Sequence, residues 1–254
     1  MNLTELLDEL RSNILYDRSD RVAGGDPYLW SDATLVRYIN EAQRRFARRA
    51  LVIRDNSSAV TTVTLVEGQG EYVLDPSVLA VLSAKLTGDN ADLARAGHSA
   101  FDTYVVPDTY FFDPAQLTTL APGKPLAFST DETLAEDDSG SVSVVSLRVY
   151  PTPSADYDGE TIRLRLIRLP IDKLVPTGLS AVPEIPEDYH LAMLDWAAYL
   201  ALRIVDTDAG NAKRADEFRM SFEAHVMDAK REMMRKIFAP TQWGFGRNGF
   251  SWER

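Results

Sequence analysis

A change of hydrophobic period, made twice, constrains this chain more than any other feature. Residues 31–53 place apolar side chains at helical spacing, from about 57 the pattern shifts to the two-residue alternation of strands, and helical spacing returns at about 187. A face built for one period cannot be buried by the other. The chain therefore reads as α+β: a helical bundle of N-terminal and C-terminal helices, with an inserted antiparallel β-sheet region and an extended C-terminal arm.

The first helix is expected over 2–15, where Leu3, Leu6, Leu7, Leu10 and Ile14 share one face and Asn2 with Glu5 form a capping pair. A polar loop, DRSDRVAGGDPY, follows. Ser31 then caps a helix over 31–53, with Asp32 favourably placed at the positive end of its dipole. Leu35, Tyr38, Ile39, Ala42, Phe46 and Ala50 form its apolar face, and Arg37, Arg44, Arg45, Arg48 and Arg49 form the opposite one.

In the β-rich part, AVTTVTLVEGQGEYVLDP reads as a hairpin turning at Gly68-Gln69-Gly70. A strand fits 78–86, residues 87–130 have no clear period, and Thr130–Gly140 reads as an acidic loop. Ser141–Tyr150 and Thr161–Leu169 are strands, and in the second Ile162, Leu164 and Leu166 alternate with Arg163 and Arg165. A proline-punctuated linker leads to helices over 187–205 and 211–237. The second carries the stripe Ala215, Phe218, Phe222, Val226, Ala229, Met233 and Ile237. The expected units are 1–56 together with 177–237 as the helical bundle, 57–176 as the β-rich insertion, and 238–254 as the arm.

The residue inventory excludes several kinds of chemistry. There is no cysteine, so thiolate zinc sites, iron–sulfur clusters and cysteine nucleophiles are ruled out. No apolar run approaches the roughly 18 residues that span a bilayer. The N-terminus MNLTELLDELRSNIL is acidic and lacks the parts of a secretory signal, so the chain is expected to stay where it is made, away from membranes. A net charge of −11, from 27 basic and 38 acidic residues, opposes general nucleic-acid binding.

His98, His190 and His225 have no ligand-spaced partners, so surface or core histidines are expected and no metal site. Gly97-His98-Ser99-Ala100 lacks the second glycine of a nucleophile elbow. Asp131, Glu132, Glu136, Asp137 and Asp138 do not match a calcium loop and read as a solvated acidic segment. Neither an enzyme signature nor a cofactor site is expected.

Two features stand above this background. The arginine face of 31–53 is either a solvated helix surface or a subunit interface that meets an acidic neighbour. The tail, TQWGFGRNGFSWER, spaces Trp243, Phe245, Phe250 and Trp252 among glycines. Disordered tails are poor in aromatics, so these residues read as anchors of a docking arm, against the alternatives of a disordered end or an arm folded back on its own domain.

Trp30-Ser31-Asp32 leading into LVRYINEAQRRFARRA, then GQGEYVLDP, then LRVYPTPSADYDGETIRLRLIRLP, and finally IPEDYHLAMLDWAAYLALRI with the long helix, occur in this order over most of 28–237. In that order and spacing the chain resembles the head-to-tail adaptor (connector) proteins of tailed bacteriophages. The resemblance implies a structural virion protein and a homo-oligomeric ring, typically twelve-fold, beneath the portal protein. DNA passes through the channel of such a ring without specific binding, and the far side meets tail or nozzle proteins. It places the protein in the virion neck, assembled in the bacterial host cytoplasm. It also implies that the arm reaches the portal, which carried onto this chain makes Phe238, Trp243, Phe245, Arg247, Phe250 and Trp252 the docking residues.

Two other readings compete. One is another neck or tail-tube component that binds tail proteins. The other is a carbohydrate-binding module or cell-surface hydrolase, against which the tryptophans at 30, 196, 243 and 252 count, since all lie outside the expected sheet.

Overall fold

The computed structural model describes residues 1–17, 28–96, 121–137, 140–203 and 209–238. It is α+β, and the chain divides into two compact units: Met1–Val52 with the chain from Leu174 onward, and Ile53–Lys173.

In the helical unit, α1 (Leu3–Glu9) starts on the expected capping box, with Asn2 and Glu5 exchanging side-chain and backbone hydrogen bonds. It runs on as a π-helical stretch, Leu10–Leu15, and Tyr16 ends it in the left-handed region at φ 56°. Helix α2 (Asp32–Ala50) is capped by Ser31, whose hydroxyl accepts from the Thr34 amide. Leu51 caps it at φ 57°, so the helix ends at Ala50, three residues short of the expected end.

A short 3-10 turn, Glu187–Tyr189, leads into α3 (His190–Leu202). Its buried residues include Met193, Leu194, Trp196, Ala197 and Ala201, on more than one side, because both α2 and the long helix that follows pack against it. The long helix α4 (Ala209–Phe238) buries Ala215, Phe222, Val226, Ala229 and Met233 of the expected stripe, while Phe218 is only partly buried and the side chain of Ile237 lies outside the described residues. Phe46 of α2 meets Phe222 edge to face at 5.8 Å, and Phe222 lies 5.1 Å from Trp196, so an aromatic cluster joins the three helices. The linker before α3 also belongs here. The Asn40 side chain both donates to and accepts from the Leu174 backbone, and Leu179 and Ala181 carbonyls accept from the first turn of α1.

The second unit holds two sheets. In one, β1 (Arg54–Asp55), β9 (Thr161–Arg168), β4 (Val78–Leu86) and β5 (Ala91–Asp92) follow in that order, and β2 (Thr62–Thr64) also pairs with β9. In the other the order is β3 (Glu71–Val73), β8 (Gly140–Tyr150), β7 (Ala127–Asp137) and β6 (Ala94–Arg95). Both sheets contribute to one apolar cluster. Val81, Leu86, Ile162, Leu164 and Leu166 come from the first, and Tyr72, Phe128, Leu147 and Val149 from the second. On β9 the expected alternation is exact in effect: Ile162, Leu164 and Leu166 are buried while Arg163 and Arg165 are exposed.

Three expectations need correction. The insertion is not wholly antiparallel, because β6 pairs parallel to β7. The turn at Gly68 exists, with Gly68 at φ 73°, but β2 and β3 on its two sides join different sheets and do not pair as a hairpin. Each is only three residues long and finds its hydrogen bonds on a distant strand, since an isolated two-stranded ribbon is marginal in water. The acidic stretch after Thr130 is strand rather than loop: Asp131 to Asp137 pair in continuous register with Ser146 to Gly140. Ladder hydrogen bonds to β8 outweigh the low strand propensity of its acids.

Candidate functional site

The five arginines of α2 separate into two groups. Arg45 and Arg49 are engaged within the helical unit: the Arg45 guanidinium carbon lies 3.9 Å over the Trp196 ring, and Arg49 pairs with Glu223 of α4. Arg37, Arg44 and Arg48 are exposed, with exposed Glu41 among them, and none of the three has an ion pair among the described residues. Seven and four residues separate these three, so their side chains follow one line along the helix.

On another side of the same unit, α3 and α4 enclose an open groove of about 500 Å³. Asp188, Leu191 and Asp195 line one wall, and Ser221, His225, Asp228 and Glu232 line the other. Asp195 sits at its floor, 3.7 Å from Nε2 of His225. Burial pushes the Asp195 carboxyl up, against the opposing pull of the Ser221 hydroxyl and of His225. At the rim the Tyr189 hydroxyl donates to Glu232 at 2.6 Å, and burial together with that carboxylate raises the tyrosine well above its usual range. Leu191 is left 56% exposed beside these acids.

Two buried ion pairs carry no prior expectation. Arg11 donates to Asp17 at 2.9 Å, to Asp32 at 2.6 Å and to the Trp30 carbonyl at 2.8 Å, with its guanidinium 4.0 Å from the Tyr28 ring centre. Asp17 in turn accepts from the Leu29 and Trp30 amides. This knot fastens the end of the first helix to the start of α2. A signal was present: Arg11 follows Leu7 by four residues, which puts it on the buried side of the leucine stripe.

In the β unit, Asp55 accepts from the Ser57 and Ser58 amides, from the Ser58 hydroxyl and from Nε of Arg168 at 2.5 Å. Burial alone would raise this carboxyl, but those donors together hold it well below the carboxylate range. The sequence offers no period or spacing that links residue 55 to residue 168.

Other expected positions fall as follows. His190 is buried, with Nε2 2.9 Å from the Ile185 carbonyl and Nδ1 3.1 Å from the N-terminal nitrogen, and burial lowers its basicity. No group of three or more histidine and carboxylate side chains that could hold a metal occurs among the described residues. Asp131, Glu132, Glu136 and Asp137 lie along β7. Gly97–Ala100, Asp138, Trp243, Phe245, Arg247, Phe250 and Trp252 lie outside the described residues, and Phe238 is the last residue of α4.

No described helix is long and apolar enough to cross a membrane. A family model described as SU10 adaptor protein matches residues 1–242 of the chain. Among curated proteins, none matches it.

Proposed function

The chain belongs to the SU10 adaptor protein family, a phage head-to-tail adaptor family, and from that premise we propose that it forms a ring between portal and tail and extends the DNA channel. The family is one of structural adaptors rather than enzymes, and its members work with other neck and tail components of the virion. The observation that carries the finer reading is the helical unit itself. It is assembled from both ends of the chain around a β insertion, and it leaves a line of arginines exposed on a chain of net charge −11.

An arginine face and acidic faces on one molecule suit a closed assembly in which unlike surfaces of adjacent copies meet. The acidic balance suits a channel wall along which DNA moves without sticking, because phosphates gain nothing there. The arm 238–254 supplies Trp243, Phe245, Phe250 and Trp252 as anchors for an apolar surface of the portal.

The test is removal of 239–254 from the full chain. Portal binding is expected to be lost while the far-ultraviolet spectrum and melting temperature stay as they were. A truncated chain that joins the portal normally overturns the docking arm. Copurification with tail proteins and not with the portal would move the chain to another place in the neck.

A further inference from the structure

The chemistry of the groove between α3 and α4 narrows what can fill it. Four carboxylates, Asp188, Asp195, Asp228 and Glu232, converge on about 500 Å³ of open space with Leu191 at the rim. Phosphates and acidic peptides are repelled by such a wall. A cationic side chain with an apolar stem is favoured, because its head can meet the acids while its methylenes cover Leu191.

Helix geometry supplies a matching donor in the chain itself. Arg37 and Arg44 are seven residues apart, as are Asp188 and Asp195; Arg44 and Arg48 are four apart, as are Asp228 and Glu232. At the α-helical rise of 1.5 Å the four-residue spacing is about 6 Å on both α2 and α4, whereas Asp188 stands in the 3-10 turn before α3, where the rise is about 2 Å per residue. The arginines cannot reach the groove of their own chain. Ser221 and Glu223 lie about 100° to either side of buried Phe222 on α4. Glu223 is held by Arg49 of α2, while Ser221 lines the groove; Phe46 of α2 reaches Tyr189 at the groove, and Arg37, Arg44 and Arg48 stand on the opposite side of α2 from Phe46.

We propose that the α3/α4 groove of one copy receives the Arg37–Arg44–Arg48 face of α2 from a second copy, joining successive copies head to tail. This rests on the ring reading above and names its contact surfaces. A donor and a receiver on different sides of one unit give a heterologous contact, the kind that closes into a ring where the rotation between copies closes, instead of stopping at a dimer. Exposed pairs already at the groove, Asp228 with Arg231 and Glu232 with Lys236, are solvent-screened and exchange readily for guanidinium forks. Asp195, half-buried with a raised carboxyl, gains most from an arriving cation.

Charge reversal on each surface provides the test, using the full chain alone and with its portal assembly, read by analytical ultracentrifugation. Arg44→Glu with Arg48→Glu is expected to weaken self-association at least tenfold, and Asp228→Arg with Glu232→Arg likewise. Melting temperatures report that each variant is folded, and the milder pair Arg44→Gln with Arg48→Gln is expected to show a smaller loss in the same direction. All four reversals combined in one chain are expected to restore assembly. If the reversed proteins assemble like the wild type, or the combined variant fails to recover, the contact is wrong and the ring can stand. If the wild type stays monomeric with and without the portal, the ring reading itself falls and takes the contact with it.

Discussion

The Arg45 guanidinium carbon lies over the Trp196 ring, 3.9 Å from its centre, so one member of the arginine face serves the fold. Its neighbour Arg44 on the same helix is exposed. Chemical denaturation should separate them. Arg45→Ala is expected to cost about 1–2 kcal/mol through lost cation–π contact and stem packing. Arg44→Ala should stay within about 0.5 kcal/mol for the isolated chain.

Arg11 and Asp17 are both buried, with the pair at 2.9 Å. Arg11→Met leaves Asp17 without its cation and is expected to cost about 3–5 kcal/mol, the penalty for an uncompensated buried charge. Adding Asp17→Asn removes that charge and should recover part of the loss, measured as a coupling in a double-mutant cycle.

Asp55 and Asp195 should shift stability with pH in opposite directions. The folded Asp55 carboxyl titrates below its unfolded value, so its contribution is complete above the unfolded pKa of about 4 and is lost as pH falls below it. Asp55→Asn should therefore be most destabilising near neutral pH and lose its effect in acid. The folded Asp195 carboxyl titrates above its unfolded value, so ionisation costs stability as pH rises. Asp195→Asn should stabilise the unassembled chain near pH 7, with the gain fading below about pH 4. Thermal melts from pH 3 to pH 7 read the whole of the Asp195 change and the onset of the Asp55 loss.

Gly68 holds φ 73° at the point where the chain leaves one sheet for the other, and a Cβ there would meet no atom within 4 Å. The cost of Gly68→Ala is therefore conformational alone, about 1–2 kcal/mol. A Gly68→Asn variant, which tolerates the left-handed region better, should lose less.

The parts of the fold legible from sequence are those set by local chemistry. Ser31 capping α2, the Asn2–Glu5 box, the buried row from Leu35 to Ala50 and the alternation along β9 each depend on residues within a turn or two of one another. Backbone geometry converts such spacings directly into faces, whatever the rest of the chain does. The exposed arginine line of the candidate surface was readable for the same reason.

The rest depended on partners distant in sequence. Residues 62–64 found β9 and residues 71–73 found β8, so a segment with a hairpin pattern became a crossing between sheets. The acids of 131–137 became strand through hydrogen bonds to β8. Trp196 and Glu223, reaching α2 from two other helices, withdrew Arg45 and Arg49 from the face they share by period with Arg44. The groove needed α3 and α4 side by side before Asp188, Asp195, Asp228 and Glu232 had any common address. Local spacing shows which way a side chain points, but what stands opposite it is settled by long-range packing, where the free energy of burial is gained.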